Sequence, residues 1–127
     1  MQLTIEKVID AQSGQVEFNS EFGQARGRWS GTLPVPGQTY YVELDVDKVL
    51  TCGSDLVAVG DGHQTSIHCE GDSAILVGLL ERVEDDGVAI LRLGQSVIML
   101  EIEGDGLPTP GWVRAGPVQL SISDMNY

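Results

Sequence analysis

Residues 60–72 read GDGHQTSIHCEGD and contain both histidines of the chain and one of its two cysteines. Three carboxylates, Asp61, Glu70 and Asp72, lie in the same stretch, and Asp55 precedes it. Histidine, cysteine and carboxylate side chains are the usual ligands of zinc, which takes four of them at about 2.0–2.3 Å. The stretch therefore has the composition of a metal or catalytic site, and the spacing of its residues decides whether they can converge.

That spacing argues against convergence. His68 and Cys69 are neighbours on a predicted strand, so their side chains point to opposite faces, while His63 lies in the preceding turn. The acidic residues also lack the D-x-[DN]-x-[DN]-G pattern of a calcium loop. We expect no metal site, with His63 and His68 in solvent and Cys69 as a small buried thiol. A small β-barrel enzyme or ligand-binding protein that uses His63 and His68 remains the alternative hypothesis.

The sequence contains none of the common catalytic or phosphate-binding motifs. G-x-S-x-G, G-x-G-x-x-G and the P-loop pattern are all absent. Cys69 lies beside carboxylates, which raise the pKa of a thiol rather than activate it. We therefore assign no catalytic residue and no cofactor.

Net charge is the most unusual property of the composition. Nineteen carboxylates and seven basic side chains give a net charge of −12. Such a surface repels nucleic-acid phosphates and anionic lipid and attracts basic proteins, so we expect neither a nucleic-acid nor a membrane partner. The one basic-aromatic group is ARGRW, residues 25–29; we expect Trp29 in the core and Arg26 and Arg28 in ion pairs with the surplus acids.

Acidic residues recur on one face of a predicted strand. TYYVELDVDKVL, residues 39–50, alternates apolar with polar residues, and its polar face carries Tyr41, Glu43, Asp45 and Asp47. Neighbours on such a face are about 6.6–7 Å apart. A row of carboxylates with an aromatic residue at one end suits a basic protein partner, because tyrosine anchors an interface and carboxylates pair with arginine.

Two further acidic groups accompany this row. Glu101 and Glu103 share the polar face of a strand predicted within SVIMLEIE, residues 96–103, together with Val97 and Met99. Glu81 and residues 84–86 surround a predicted hairpin turn. We assign partner binding to the first two groups, that is, to Tyr41, Glu43, Asp45, Asp47, Glu101 and Glu103.

Period-two alternation predicts an all-β fold with little or no helix. Eight to ten short strands are separated by turn signals every 8–12 residues or so, as in small barrels and sandwiches. We expect one antiparallel domain over residues 1–127, a small barrel (OB-like or similar) or else a β-sandwich. Residues 88–103 read as a continuous strand that Gly94 divides by a bulge or bend.

The ends and the cysteines of the sequence suggest a cytoplasmic protein. The first residues lack the basic and apolar regions of a signal peptide, and no apolar run reaches the roughly 20 residues of a membrane helix. Two cysteines are too few for a disulfide framework, so we expect free thiols.

In size, acidity and lack of a catalytic motif, the sequence is similar to several bacterial immunity proteins, which neutralise a toxin partner. The order of its predicted strands also resembles that of OB-like barrels. The first hypothesis is therefore a non-enzymatic acidic protein that binds a basic protein partner, such as an immunity-type inhibitor of a toxin. A self-associating structural module, paired through a sheet edge as a homo-oligomer, is a third hypothesis.

Overall fold

The computed structural model describes residues 1–125, which form twelve strands and no helix. The all-β prediction is therefore confirmed. The strands are β1 (Gln2–Asp10), β2 (Gln15–Ser20), β3 (Gly23–Ser30), β4 (Thr39–Val46), β5 (Leu50–Thr51), β6 (Leu56–Ala58), β7 (Ser66–Glu70), β8 (Ser73–Val83), β9 (Val88–Leu93), β10 (Ser96–Glu103), β11 (Gly111–Val118) and β12 (Leu120–Asp124).

Five strands close into a barrel in the order β1-β2-β3-β12-β4, and β4 returns to β1. All neighbours are antiparallel except β3 and β12, which are parallel, with Trp29 opposite Ile122. A five-stranded Greek-key barrel of this kind is the architecture of the OB-fold class. The small-barrel prediction is thus confirmed in preference to the sandwich, although the parallel pair had no signal in the sequence.

The second sheet has the order β5-β10-β9-β8-β11-β6, and β7 adds to β8. Its two outer strands, β5 and β6, are consecutive in the chain and are joined by a bridge between Cys52 and Leu56. The sheet therefore curls into a nearly closed barrel. Its β5–β10 contact is the second parallel pair of the described residues.

The two barrels pack against each other through β3 and β7. The Ile67 N–H donates to the carbonyl of Phe22 (3.0 Å), and Arg26 on β3 pairs with Asp72 (2.6 Å) at the end of β7. Gly23 permits this approach, because a Cβ there would collide with the Ile67 carbonyl oxygen and its φ of 134° disfavours other residues. The buried apolar residues of both barrels form one cluster.

Strand interiors follow the predicted alternation. Val16, Phe18 and Trp29 are buried in the first barrel, and Leu120 and Ile122 of β12 join them. Burying these side chains is the main favourable term in folding, at about 25 cal/mol per Å² of apolar surface. The alternation therefore fixes which side chains of each strand remain outside.

Two predicted strands differ from the observed ones. The strand predicted over residues 39–50 ends at Val46, and Leu50 begins β5 in the other barrel. Residues 88–103 form a hairpin, not one bent strand, because Gly94 (φ 63°) and Gln95 make a tight turn that pairs Ser96 with Leu93. The chain crosses between the barrels at Gln119, which separates β11 from β12.

Candidate functional site

Strand β4 presents the predicted acidic row. Val42 and Leu44 are buried in the barrel, so the alternate residues Tyr41, Glu43 and Asp45 are exposed. This confirms the predicted alternation. Asp47 lies one residue beyond the observed strand end and is also exposed.

Strand β10 presents the second predicted group. Ile98 and Leu100 are buried, and Glu101 and Glu103 project outward on the same side as Val97 and Met99. We call the exposed carboxylates of the two strands the acidic face; its members are Glu43, Asp45, Asp47, Glu101 and Glu103.

A groove of about 360 Å³ runs along the line where β4 and β10 approach each other, with Cα atoms of the two strands within 8 Å. It brings Glu43 beside the exposed apolar residues of β10, and its lining consists of Met1, Val42, Glu43, Leu44, Gln95, Ser96, Val97, Ile98, Met99 and Met125. A second cleft of about 190 Å³ contains Asp47 and Glu101 together with Lys48. The two acidic groups therefore meet at the junction of the barrels, while Tyr41, Asp45 and Glu103 lie outside both linings.

Within residues 1–125, the acidic face forms no ion pair with a basic side chain. Six of the seven basic side chains form salt bridges within residues 1–125, and all six partners are other carboxylates. Lys48, which follows Asp47 in the sequence, is directed to Asp55 Oδ1 at 3.5 Å. Lys48 therefore lies near Asp47 and Glu101 without forming a direct ion pair with either of them in the described residues.

Neutral hydroxyl groups contact two of these carboxylates. Ser121 Oγ lies 2.7 and 2.8 Å from the two carboxylate oxygens of Asp47, and Thr51 Oγ1 donates to Glu103 at 2.7 Å. Hydroxyl donors orient a carboxylate without cancelling its charge. Both residues therefore remain available to a cationic partner.

The third acidic group differs from the acidic face. Glu81 accepts a hydrogen bond from Arg92, which lowers the pKa of that carboxyl, and Arg82 pairs with Glu84 at 2.7 Å. Internal arginines thus compensate part of the charge around the β8–β9 turn. This group was not among the residues predicted to bind a partner, and two of its carboxylates pair with arginines of the same hairpin.

Exposed apolar side chains adjoin the acidic face, and the sequence reasoning did not include them in the site. Met99 is 65% exposed, Tyr41 58% and Val97 45%, and Met125 contributes to the same groove. Large exposed apolar side chains next to one another are typical of interaction surfaces. The signal in the sequence was the alternation itself, which put Val97 and Met99 on the face of Glu101.

The residues of the opening stretch do not converge. His63 in the turn and His68 on β7 are both exposed, and no group of three or more metal-ligating side chains occurs in the described part of the chain. Cys69 is half-buried and free; burial raises the pKa of its thiol, and a hydrogen bond from the Arg26 backbone opposes this. This placement gives no support to a site built on His63 and His68.

The basic-aromatic group is structural. Trp29 is buried as predicted, its Nε1 donates to the Thr32 carbonyl (2.9 Å), and its ring meets Tyr40 edge-on at 5.0 Å. The predicted ion pair is confirmed for Arg26, which contacts Asp72. The prediction is wrong for Arg28, which makes no salt bridge within residues 1–125; it lines the same cavity as Asp72, whose carboxylate pairs with Arg26.

No family model matches the chain, and no curated protein or solved structure is significantly similar to it. No helix that could span a membrane occurs in the described residues.

Proposed function

We propose that this chain is a non-enzymatic binding protein whose acidic face engages a basic protein partner. The observation that carries the proposal is that, among the described residues, none of the five carboxylates of that face forms a salt bridge, while six of the seven cations pair elsewhere. Charge left uncompensated in a row repels itself in the free protein. A cationic partner relieves that repulsion, so the arrangement favours binding.

Exposed apolar and aromatic residues next to the acidic face add contact area, which charge alone does not provide. Carboxylates raise the rate of encounter and select basic partners, but exposed ion pairs contribute only about 0.2–1 kcal/mol each. Tyr41 and Met99 add exposed apolar and aromatic area next to Glu43 and Glu101, and such residues anchor interfaces. Together they suit a partner with a basic cleft bordered by apolar residues.

The most concrete partner is a toxin with a basic catalytic cleft, so the chain would act as an immunity-type inhibitor. In that role it occludes the cleft by placing the acidic face over it. Inhibition then needs no chemistry from the inhibitor, only complementary shape and charge. The exposed positions of His63 and His68 are compatible with this role.

The proposal is tested by reversing charge on the acidic face. The double variant Glu43→Lys with Asp45→Lys is compared with Asp61→Lys plus Asp85→Lys, which changes the net charge equally at two exposed positions in other turns. Both proteins serve as bait for partners from the source cell, and the protein that the wild type retains is purified for titration.

We expect the first variant to lose about 2 kcal/mol of binding free energy, roughly a 30-fold rise in Kd, since two attractive contacts become repulsive. The control variant should bind within about threefold of the wild type. Equal affinities for both variants, or a retained protein that is acidic, would contradict the proposal.

A further inference from the structure

Strand β4 has a backbone edge without a ladder partner. Val42 N–H donates to the Met1 carbonyl (2.7 Å), so the Val42 backbone points away from β12. Alternate residues of a strand direct their backbone groups to the same edge, so Leu44 and Val46 also point away from β12. On that side, backbone pairing with the start of β1 ends at Val42, which exchanges hydrogen bonds with Met1, and no ladder of the described residues continues to Leu44 and Val46.

Strand β10 has a similar edge. The Ile102 N–H donates a hydrogen bond to the Gly87 carbonyl oxygen (2.9 Å), on the side of β10 that faces β9. The Glu103 carbonyl oxygen accepts one from the Cys52 N–H (2.9 Å), on the side that faces β5. By the same alternation, the backbone groups of Val97 and Met99 point away from β9. The ladder of β5 covers only Ile102 and Glu103, so the edge at Val97–Met99 has no ladder in the described structure.

Both edges border the same groove, and its rim is charged. Leu44, Val97 and Met99 line it, together with Glu43, and Glu101 lies just beyond on the same face of β10. An unpaired strand edge is a template for an added strand. A strand added there places alternate side chains beside Val97 and Met99, which are apolar, and beside Glu43 and Glu101, which are negative.

We propose that the basic partner lays an extended segment along the open side of this groove and adds it as a strand to the edge of β10 at Val97–Met99. Its lysine or arginine side chains pair with Glu43 and Glu101, and an apolar side chain packs on Met99. The inference rests on the proposed function and specifies how the partner binds. Strand addition gives affinity through backbone hydrogen bonds, and the alternate side chains give specificity.

Charge selects this occupant over a second copy of the chain. Two copies paired through β10 would bring two acidic faces together, each part of a molecule with a net charge of −12. Like charges opposed in this way cost several kcal/mol. A cationic segment reverses the sign of the same interaction.

A short peptide of alternating lysine and valine is the probe. It is compared with two N-methylated forms of equal charge, methylated at every lysine or at every valine, so that each blocks one edge of the peptide strand. We expect one methylated form to bind about tenfold or more weakly than the unmodified peptide. The unmodified peptide should also slow amide hydrogen exchange at Val97 and Met99. Equal affinity of all three peptides, or unchanged exchange at these amides, would overturn the inference.

A backbone variant gives an independent readout. Met99→Pro removes the N–H that faces the groove and no ladder bond to β9, while Met99→Val keeps that donor and an apolar side chain. We expect the proline variant to bind the peptide about 5- to 10-fold more weakly than the valine variant. If the proline variant does not fold, as judged by circular dichroism, the methylated peptides still decide the matter.

The outcomes separate this inference from the proposed function. If Glu43→Lys with Asp45→Lys abolishes peptide binding but methylation does not affect it, the acidic face binds without strand addition and only the inference fails. If neither change affects binding, both fail. If the chain alone doubles its mass in light scattering and protects Val97 and Met99 as concentration rises, the occupant is a second copy and the inference is overturned.

Discussion

Replacing Asp45 with lysine should stabilise the free protein. Asp45 lies between Glu43 on β4 and Asp47 just past the end of that strand, and neighbours two residues apart in extended chain are about 7 Å apart. At that distance two like charges in water repel by about 0.6 kcal/mol, or about 1.2 kcal/mol for two neighbours. Reversal turns repulsion into attraction, a change of about 2.4 kcal/mol without salt, and screening at 0.1 M reduces it to roughly half.

We therefore expect Asp45→Lys to raise the free energy of unfolding by about 1 kcal/mol at 0.1 M salt. For a chain of this size that corresponds to a rise in Tm of roughly 3–5 °C. Urea and thermal unfolding at low, intermediate and about 1 M salt measure the effect, and it should nearly vanish at the highest concentration.

The control for this experiment is Asp61→Lys, which makes the same change of net charge in a turn with no carboxylate within two residues. It should alter stability by less than about 0.5 kcal/mol. If Asp45→Lys destabilises the protein, Asp45 makes favourable contacts in the free protein. If its gain persists at high salt, the gain is not electrostatic. Either result would contradict a self-repelling acidic face.

Two further predictions concern the scaffold. Asp55 accepts a hydrogen bond from the Thr51 N–H and pairs with Lys48, and these contacts lower the pKa of its carboxyl from 3.8. The ionised carboxylate therefore stabilises the folded protein above pH 4, and this stabilisation is lost as the pH falls through the lowered pKa. Asp55→Asn should reduce stability at pH 7 and flatten the acid limb of the stability curve below pH 4, and an unchanged acid limb would contradict the assignment. Gly23→Ala should cost more than about 2 kcal/mol, since its Cβ meets the Ile67 carbonyl and its φ is unfavourable; a loss below about 0.5 kcal/mol by urea unfolding would show that the two barrels do not depend on this close approach.

Alternation along each strand was enough to predict which side chains face outward. Glu43, Asp45, Glu101 and Glu103 are exposed as expected because Val42 and Leu100, next to them in sequence, have to be buried. Alternation with a period of two residues shows on which face of a strand a side chain lies, but not which other strand lies beside it. The sequence therefore predicted the composition of the acidic face but not that β4 and β10 lie side by side.

Chain reversals and crossings were harder to predict. Gly94 was expected to bend a strand, but its positive φ at the first position of a two-residue turn reverses the chain instead. The alternation of residues 111–124 changes phase between Ala115 and Val118, where Pro117 cannot donate to a ladder, and Gln119 carries the chain to the other barrel. These choices depend on long-range pairing, which local patterns do not encode.

The expectation of one domain over residues 1–127 stays a prediction.

The most direct test of the central claim is the salt dependence of partner binding for the wild type, the acidic-face reversal and the turn reversal. With the purified partner, we expect the Kd of the wild type and of the Asp61→Lys, Asp85→Lys control to rise steeply between about 0.05 and 0.3 M salt. The Glu43→Lys, Asp45→Lys variant should bind weakly and with a much smaller slope. A slope and affinity equal to those of the wild type would contradict the claim that this face binds a basic protein.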